Sequence, residues 1–532
     1  MTTRPPAADA PAAAALHADL DGWTVDGVSE LVGDRAFRAL GREQVTPALV
    51  AARAAGPEAA AVLTRLFMLG DDVTRAQADA ALSRLGTQGA ERIGLVEAAG
   101  AEPGDAVRAL VDVRPYSATT EDGQVDWWIA SDQGESVTAR AVGRDHVLGV
   151  GGASTTLASV TMRAPRRRVL DLGTGCGIQA MHASLHADSV VATDLSVRAL
   201  AYARFNESVN APALGAGAAA HRASSHRAWD LREGSMLEPV AGETFDLVVS
   251  NPPFVITPPG APTYEYRDGG AVGDGVTAAL ITDVGTVLEP GGVAQLLGNW
   301  EIRAGASGEG EAGADWRIRI GRWLDAAPVP LDAWIIQRDA LDAAEYAETW
   351  LRDAGVTADR DPALWSSAYE AYLRAFDEGG VEAIGFGLVV LRRPLTGAPT
   401  IRRFEEHEGA VAMPLGPTLA AGLEAHDWLA SVSDAEVLDA ALTVAPDVTK
   451  ETHGRPLEAH PEHILLRQGG GFGRVIKADT ALAGLVGACD GELTVGQIAH
   501  ALAALLDVPA GEMIGGLVPA VRDLVRDGLL LR

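Results

Sequence analysis

The sequence predicts an α/β protein: a doubly wound parallel sheet flanked by small α+β modules at both ends of the chain. Three observations predict it. Strand-like and helix-like segments alternate from about Val137 to Arg393. Within that stretch "VLDLGTGCGIQAM" (169–181) sets a glycine-rich turn between a strand and a helix. Outside it, both ends of the chain read as helices followed by short strands.

In chain order, residues 1–14 are rich in proline and alanine and are expected to form a disordered tail. Residues 15–137 form the first module. "EQVTPALVAARAAG", "EAAAVLTRLFML" and "TRAQADAALSRL" place apolar residues at helical spacing, with Thr74 and Gly56 as cap signals. "VRALVDVRPYSA" and "VDWWIASDQ" then read as strands joined by a polar turn. Helices followed by a hairpin suggest a winged helix. Such a shape is more often a packing module than a nucleic-acid reader.

Residues 138–395 carry the sheet. "RRVLDLG", "VVATDLS", "FDLVVSNPP", "VAQLLGNWE" and "IGFGLVVLRR" are its strands. "VRALAYARFNESVN" and "TAALITDVGTVLEPGG" are helices, the second leaving through proline and glycine. "APALGAGAAA" (211–220) and "AGASGEGEAGAD" (304–315) lack an apolar period and read as flexible surface insertions. Residues 396–532 form the last module, helical in pattern with a short closing strand, again winged-helix-like.

The 532 residues suggest roughly three domains. A net charge of −29 argues against a broadly basic nucleic-acid surface, although a local basic groove remains compatible with it. The two cysteines, Cys176 and Cys489, are far apart and fit a reducing compartment without a disulfide framework or zinc cluster. The N-terminus lacks the pattern of a signal peptide, and no apolar run is long enough for a bilayer. A cytoplasmic protein that does not engage membranes is expected.

The glycine loop carries the first chemical signal. Gly173, Gly175 and Gly177 permit a tight turn and leave room for a ligand against the backbone. Asp171 precedes the first glycine, where it can accept from an ammonium group. Asp194 ends the next strand, where a carboxylate can accept both hydroxyls of a ribose. A ligand with an amino-acid end and a ribose end fits this pair better than a pyrophosphate.

Together "DLGTGCG", Asp194 and "NPPF" (251–254) resemble the class I S-adenosylmethionine-dependent methyltransferases, in the amino-methylating branch with an Asn-Pro-Pro-aromatic motif. The resemblance covers about residues 140–395. It implies a Rossmann-like seven-stranded sheet and S-adenosyl-L-methionine as cofactor. It places Asp171, Gly173, Thr174, Gly175 and Gly177 at the methionine part, Asp194 and Leu195 at the nucleoside, and Asn251 beside the cofactor. Gly234 and Ser235 stand where relatives often have a Gly-Asp pair near the adenine, with Ser235 able to hydrogen-bond. "DHVLGVGGASTTLA" (145–158) lies where relatives close over the cofactor, with Thr155 and Thr156 as carboxylate contacts or as an ordinary capped loop.

The NPPF stretch supplies the reaction. The Asn251 side-chain oxygen and the Pro252 carbonyl can accept both N–H bonds of a planar NH₂ group. Pro252 and Pro253 fix the backbone, and Phe254 offers a face for stacking. The resemblance implies N-methylation of a macromolecule. Two acceptors stay open: a protein glutamine amide, as in the release-factor enzymes, with a slight lean toward it, or an exocyclic amine of ribosomal or transfer RNA. "YEYRDGGAVGDGVTAAL" (264–280) is similar to a glycine-containing stretch of the glutamine enzymes, whereas Phe254 is commoner in the RNA guanine enzymes. A non-catalytic cofactor-binding adapter is the third reading.

Other signals are weaker. Four arginines in "MRAPRRRV" (162–169) suit either a phosphate backbone or a solvated strand entrance. "RIRIGRW" (317–323) reads as amphipathic with its arginines outside. His453, His460 and His463 read as loop residues, and no metal is expected. Cys176 has no nearby histidine to activate it and reads as packing.

Overall fold

The computed structural model describes all residues except 1–3, 121–122, 139–141, 218–227, 260–266, 269–271, 305–314, 396 and 457–460. The chain divides into two units, residues 1–158 with 164–399 and residues 159–163 with 400–532.

In the first unit, runs such as "VLDL" and "LVVS" are buried throughout, the signature of strands covered on both faces. They belong to a sheet of β1 Arg166–Leu172, β2 Ala187–Asp194, β3 Asp230–Glu233, β4 Phe245–Ser250, β5 Leu288–Arg303, β6 Asp332–Asp342 and β7 Val381–Arg392. Their order across the sheet is β3-β2-β1-β4-β5-β7-β6. β1 to β5 pair in parallel, and β7 runs antiparallel to both β5 and β6. The first unit thus supplies seven strands of the expected doubly wound sheet, which is mixed rather than wholly parallel because β7 runs against its neighbours. After β3 the chain crosses to the other side of β1. That switch opens a crevice at the carboxyl ends of β1 and β4.

The helices are α1 Ile178–Ser184, α2 Val197–Gly217, α3 Gly275–Asp283, α4 Trp316–Ala326, α5 Ala343–Asp353 and α6 Pro362–Gly379. "RIRIGRW" lies in α4, with Trp316, Ile320 and Leu324 buried along one face and Trp316 stacked on Trp300 at 5.2 Å. Residues 211–217, expected in a loop, instead prolong α2 past Pro212. Residues 218–220 and 305–314 lie outside the described residues. β6, α5 and α6 go beyond the elements expected from the sequence. α5 and α6 are inserted between the last two strands, where α5 caps on Asp342 and α6 on Asp361.

The segment 1–14, expected as a disordered tail, holds the start of a helix, Ala10–Leu20, capped by Asp9. Its alanines and leucines bury Ala12, Ala13, Leu16 and Leu20. Alanine gives little contrast between faces, so the buried side is faint in the sequence. His17 Nδ1 lies 2.8 Å from the Val209 carbonyl of α2. The hairpin Asp112–Thr120 and Gly123–Ser131 is joined to α2 more tightly. Asn210 accepts from the Trp128 N–H at 2.9 Å and donates to its carbonyl at 2.8 Å. One turn earlier, Asn206 does the same for Ala130 at 2.8 and 2.9 Å. Two side-chain amides thus stand in for a neighbouring strand. Before the hairpin, strands Val73–Thr74, Val96–Ala98 and Ala106–Ala109 form a sheet in the order first, third, second, with helices Arg75–Ala81 and Gly86–Arg92 between the first two. This is the winged-helix order. The second of those helices exposes Gln88 and Arg92, no basic stripe.

The second unit packs helices Thr480–Ala488, Val495–Leu506 and Ala510–Arg526 around Leu485, Val495, Ala499, Val521 and Leu529. Strand Ala441–Val444 lies between Asp490–Thr494 and Leu530–Leu531, so the middle strand of the winged-helix-like sheet comes first in the chain. His453 faces His463 across a separate antiparallel pair, and His460 lies outside the described residues.

Candidate active site

β1 ends at Leu172, and the chain turns through Gly173 and Gly175 with φ of 75° and 55°. Those left-handed values favour glycine. The Gly173 and Thr174 N–H groups both donate to the Thr193 carbonyl of β2, at 2.9 Å each. A Cβ built on Gly173 or Gly175 would meet nothing within 4 Å, so open space lies against this turn. Gly177 differs. Its Cβ would come 3.0 Å from Trp229 and 3.3 Å from Ala203, which makes it the point where α1 packs closely on its neighbours.

Asp171 lies beneath the loop, fully buried. Its Oδ2 accepts from Thr174 Oγ1 at 2.6 Å and from the Ala180 N–H at 2.9 Å. Its Oδ1 has no hydrogen-bond partner among the described residues. Burial pushes its carboxyl up to about 7, despite those two hydrogen bonds. Asp194, at the end of β2, is half-buried and accepts from the Gly175 N–H at 2.9 Å and the Ser196 N–H at 2.8 Å. Burial raises its carboxyl also, opposed by these backbone donors. Each of its oxygens keeps acceptor capacity. Leu195 follows with 68% of its surface exposed, an apolar side chain held at the mouth of the crevice. The Gly234 N–H donates to the Asp194 carbonyl at 3.0 Å and brings exposed Ser235 to the same edge.

Cys176 is buried, and burial pushes its thiol up to about 12, so it packs rather than reacts. Thr155 is exposed and Thr156 half-buried in the helix Gly152–Val160, whose start is tied to α1 by Gln179 Nε2 donating to the Ser154 carbonyl at 2.8 Å.

The other half of the site grows from β4. Leu172 and Ser250 are register partners, and Ser250 Oγ donates to the Leu172 carbonyl at 2.7 Å. Gly173 and Asn251 therefore leave the sheet side by side. Pro252 is buried, and Asn251, Pro253 and Phe254 are half-buried. The chain then doubles back: Phe254 bridges Asp268, and the Val255 N–H donates to the Arg267 carbonyl at 3.0 Å. This return is fastened to the inserted helices. Arg267 donates to the Trp350 carbonyl at 2.9 Å and lies 3.2 Å from Asp353. The Ile256 N–H donates to the Tyr346 hydroxyl at 2.8 Å, and that hydroxyl lies 3.3 Å from the Asn299 amide of β5.

At the carboxyl edge the structure places the turn Gly173–Gly175, Asp194 with Leu195, Ser235 and the Asn251–Phe254 stretch, whereas Gly177 faces the packed side and Asp171 lies beneath the loop. Sequence reasoning missed Tyr346 and Asn299. The helical period of 343–353 after the cap residue Asp342 was the available signal for Tyr346. Nothing local marks Asn299. Arg166 to Arg168 of the four-arginine run lie at the start of β1, away from this edge. Arg167 pairs with Glu289, and Arg168 pairs with Glu243 and lies over Phe245, at the amino ends of the strands. No group of side chains suited to a metal ion occurs among the described residues.

Residues 149–305 match the family "Methyltransferase small domain". That match takes in β1 to β5 and is a likeness to a methyltransferase domain. Two further families, each described as a domain of unknown function, match residues 21–110 and 420–532. A release factor glutamine methyltransferase of Xylella fastidiosa is 36% identical over 148 residues, which are 26% of this chain and 49% of the relative. One from Enterococcus faecalis is 39% identical over 89 residues, 16% of this chain and 27% of the relative. The chain thus spans at most about half the length of these curated relatives. Similar solved structures include the 16S rRNA methyltransferase RsmC of T. thermophilus in complex with AdoMet and guanosine, at 16% identity and a TM-score of 0.24, covering 55% of this chain and 67% of that one. A geranyl diphosphate C-methyltransferase from Streptomyces coelicolor is 13% identical with a TM-score of 0.25, covering 45% and 77%. No helix among the described residues is long and apolar enough to cross a membrane.

Proposed function

We propose that this protein is an S-adenosylmethionine-dependent N-methyltransferase acting on a planar NH₂ group, the side-chain amide of a protein glutamine. One observation carries the reading. The glycine turn with Asp194 and the Asn-Pro-Pro-Phe stretch leave adjacent parallel strands at the same edge, joined through Ser250 and Leu172.

The residues fit the cofactor. Open space against Gly173 and Gly175 suits its amino-acid portion. Asp194 has acceptor capacity for the ribose hydroxyls, and exposed Leu195 offers an apolar face for the adenine. Ser235 lies at the same edge. When bound, S-adenosylmethionine supplies a methyl group on a positively charged sulfur. The protein's part is positional. Asn251 Oδ1 and the Pro252 carbonyl accept the two N–H bonds of the acceptor amide, turn its nitrogen toward the cofactor and favour the charge that grows there. The prolines hold these oxygens in place before the acceptor arrives. Phe254 covers one face of the planar group.

The names of the curated relatives support a protein amide. So does the charge of the edge, where residues 343–379 carry eight carboxylates against three arginines. Phosphate backbones are repelled by such a surface. Incubation with cofactor labelled in the methyl group and a cell extract tests the proposal. Label removed by protease and retained after RNase is expected. The reverse pattern would transfer the activity to RNA, and no label at all would leave an adapter.

A further inference from the structure

Two helices begin at the proposed cofactor edge. α1 leaves the glycine turn, and α2 follows Asp194, Leu195 and Ser196. The second residue of each is tied to chain outside both loops. Gln179 of α1 donates to the Ser154 carbonyl at 2.8 Å. Arg198 of α2 pairs with Asp132, the residue that follows the N-terminal hairpin. Asp132 in turn holds both backbone groups of Val147. Its N–H donates to the Val147 carbonyl at 3.1 Å, and its Oδ2 accepts the Val147 N–H at 2.9 Å. Residues 148–153, "LGVGGA", are therefore anchored beside the start of α2 at one end and beside the start of α1 at the other. Leu148, the first of them, is 48% exposed.

The junction is built around one carboxylate. The Asp132 and Arg198 side chains keep only 9% and 11% of their surface exposed. Besides Val147, Oδ2 accepts from Arg198 Nε at 2.8 Å. Oδ1 accepts from the Tyr202 hydroxyl at 2.6 Å and from a second nitrogen of Arg198. Arg198 and Tyr202 stand four residues apart on α2 and so share a face. Apolar side chains could join these segments at least as stably, because desolvation consumes much of the attraction in a buried ion pair. Directed hydrogen bonds add a fixed position instead. What they fix is the first turn of α2. Two residues before Arg198, the Ser196 N–H donates to Asp194 Oδ1 at 2.8 Å, and the Ser196 carbonyl accepts from the Leu200 N–H at 3.1 Å. A shift of Arg198 would carry that donor away from Asp194.

We infer that Asp132 is a positioning residue for S-adenosylmethionine. It acts through Arg198 and Tyr202 on Asp194, and through Val147 on residues 148–153. Both of its oxygens are engaged by protein donors, so it does this without touching the ligand. The N-terminal hairpin thereby serves cofactor binding, a role beyond packing against α2. The inference rests on the methyltransferase reading above.

The test uses the full chain and S-adenosylmethionine, and needs no acceptor. Asp132→Ala and Tyr202→Phe are compared with the unaltered protein by calorimetry, well below their melting temperatures. Thr64→Val is the control for lost stability alone, since Thr64 is buried in the N-terminal module and accepts from Trp23 Nε1 at 3.0 Å. Hydrogen exchange of the amides of residues 148–153 is followed with cofactor at saturation. Expected is a loss of affinity of roughly ten- to thirtyfold for Asp132→Ala, the upper range for a residue that acts on a ligand through others. Tyr202→Phe should lose roughly two- to fivefold, the scale of one hydrogen bond. In both variants residues 148–153 should exchange faster than in the unaltered protein, whereas Thr64→Val should match it in affinity and exchange. If Asp132→Ala does not fold, Tyr202→Phe decides alone. Affinity and exchange equal to the unaltered protein in the altered chains, with only the melting temperature lowered, would make the junction structural and overturn the inference. Failure of the unaltered protein to bind S-adenosylmethionine would overturn the methyltransferase reading itself.

Discussion

The two halves of the crevice are built differently. The proposed cofactor half comes from two strand ends and the loops that follow them, Gly173 to Gly175 and Asp194 to Leu195, and its fixed groups are largely backbone. The proposed acceptor half takes Asn251 and Phe254 from the exit of β4 and is braced by Tyr346 of α5, residues spread over nearly a hundred positions. Backbone amides and glycines suit a ligand that does not vary. Side chains from several elements can be exchanged one at a time, so they suit a ligand that differs between relatives.

The largest effect that would sharpen this contrast is Asn251→Ala. Turnover should fall by roughly two orders of magnitude or more, the scale of a lost transition-state partner. Cofactor affinity should stay within about twofold, since the cofactor half is untouched. Radiometric turnover and calorimetry on one preparation check it, and equal turnover would break the contrast.

Asp194→Ala should act on the other half. Loss of the ribose acceptors is expected to weaken cofactor binding by roughly ten- to a hundredfold, the scale of hydrogen bonds to a charged group. Saturating cofactor should restore most of the turnover. Unchanged affinity would remove Asp194 from the site.

The glycines divide similarly. Gly177→Ala introduces a Cβ 3.0 Å from Trp229 at a φ of 91°, so a destabilisation of roughly 2–3 kcal/mol is expected by chemical denaturation. Gly173→Ala meets open space, and only the strain of a left-handed residue remains, about 1 kcal/mol. Its main effect should be on cofactor affinity.

The smallest effect is electrostatic. Asp171 titrates at about 7 in the folded protein and near 4 unfolded. Between those values the folded state holds a proton that the unfolded chain has released, so stability falls as pH rises across the window. Above pH 7 the buried carboxylate is ionised, and a cationic ligand relieves it. Cofactor should therefore raise the melting temperature more at pH 8 than at pH 6. A difference of roughly 2–4 °C is expected, about what 1 kcal/mol produces in a domain of this size. Asp171→Asn should flatten that difference.

Much of this protein was legible before its structure. The glycine turn, Asp194 and the Asn-Pro-Pro-Phe stretch each write their geometry within a few residues, because φ angles and strand ends are local properties. The buried strands announced themselves as apolar runs. The inserted helices escaped, although Asp342 and Asp361 cap them in the ordinary way. The alanine-rich start read as a tail because alanine does not mark which face is buried.

The sequence by itself determined the parallel strands β1, β2, β4 and β5, the turn that leaves space for a ligand and the rigid exit from β4. Only the tertiary structure decided that Gly177 packs while Gly173 faces open space, that Asn206 and Asn210 bind the N-terminal hairpin to α2, and that Tyr346 lies beside Asn299. The reason is physical. A dihedral preference belongs to one residue, whereas a hydrogen bond between distant side chains exists only after packing has removed the water that would otherwise satisfy them.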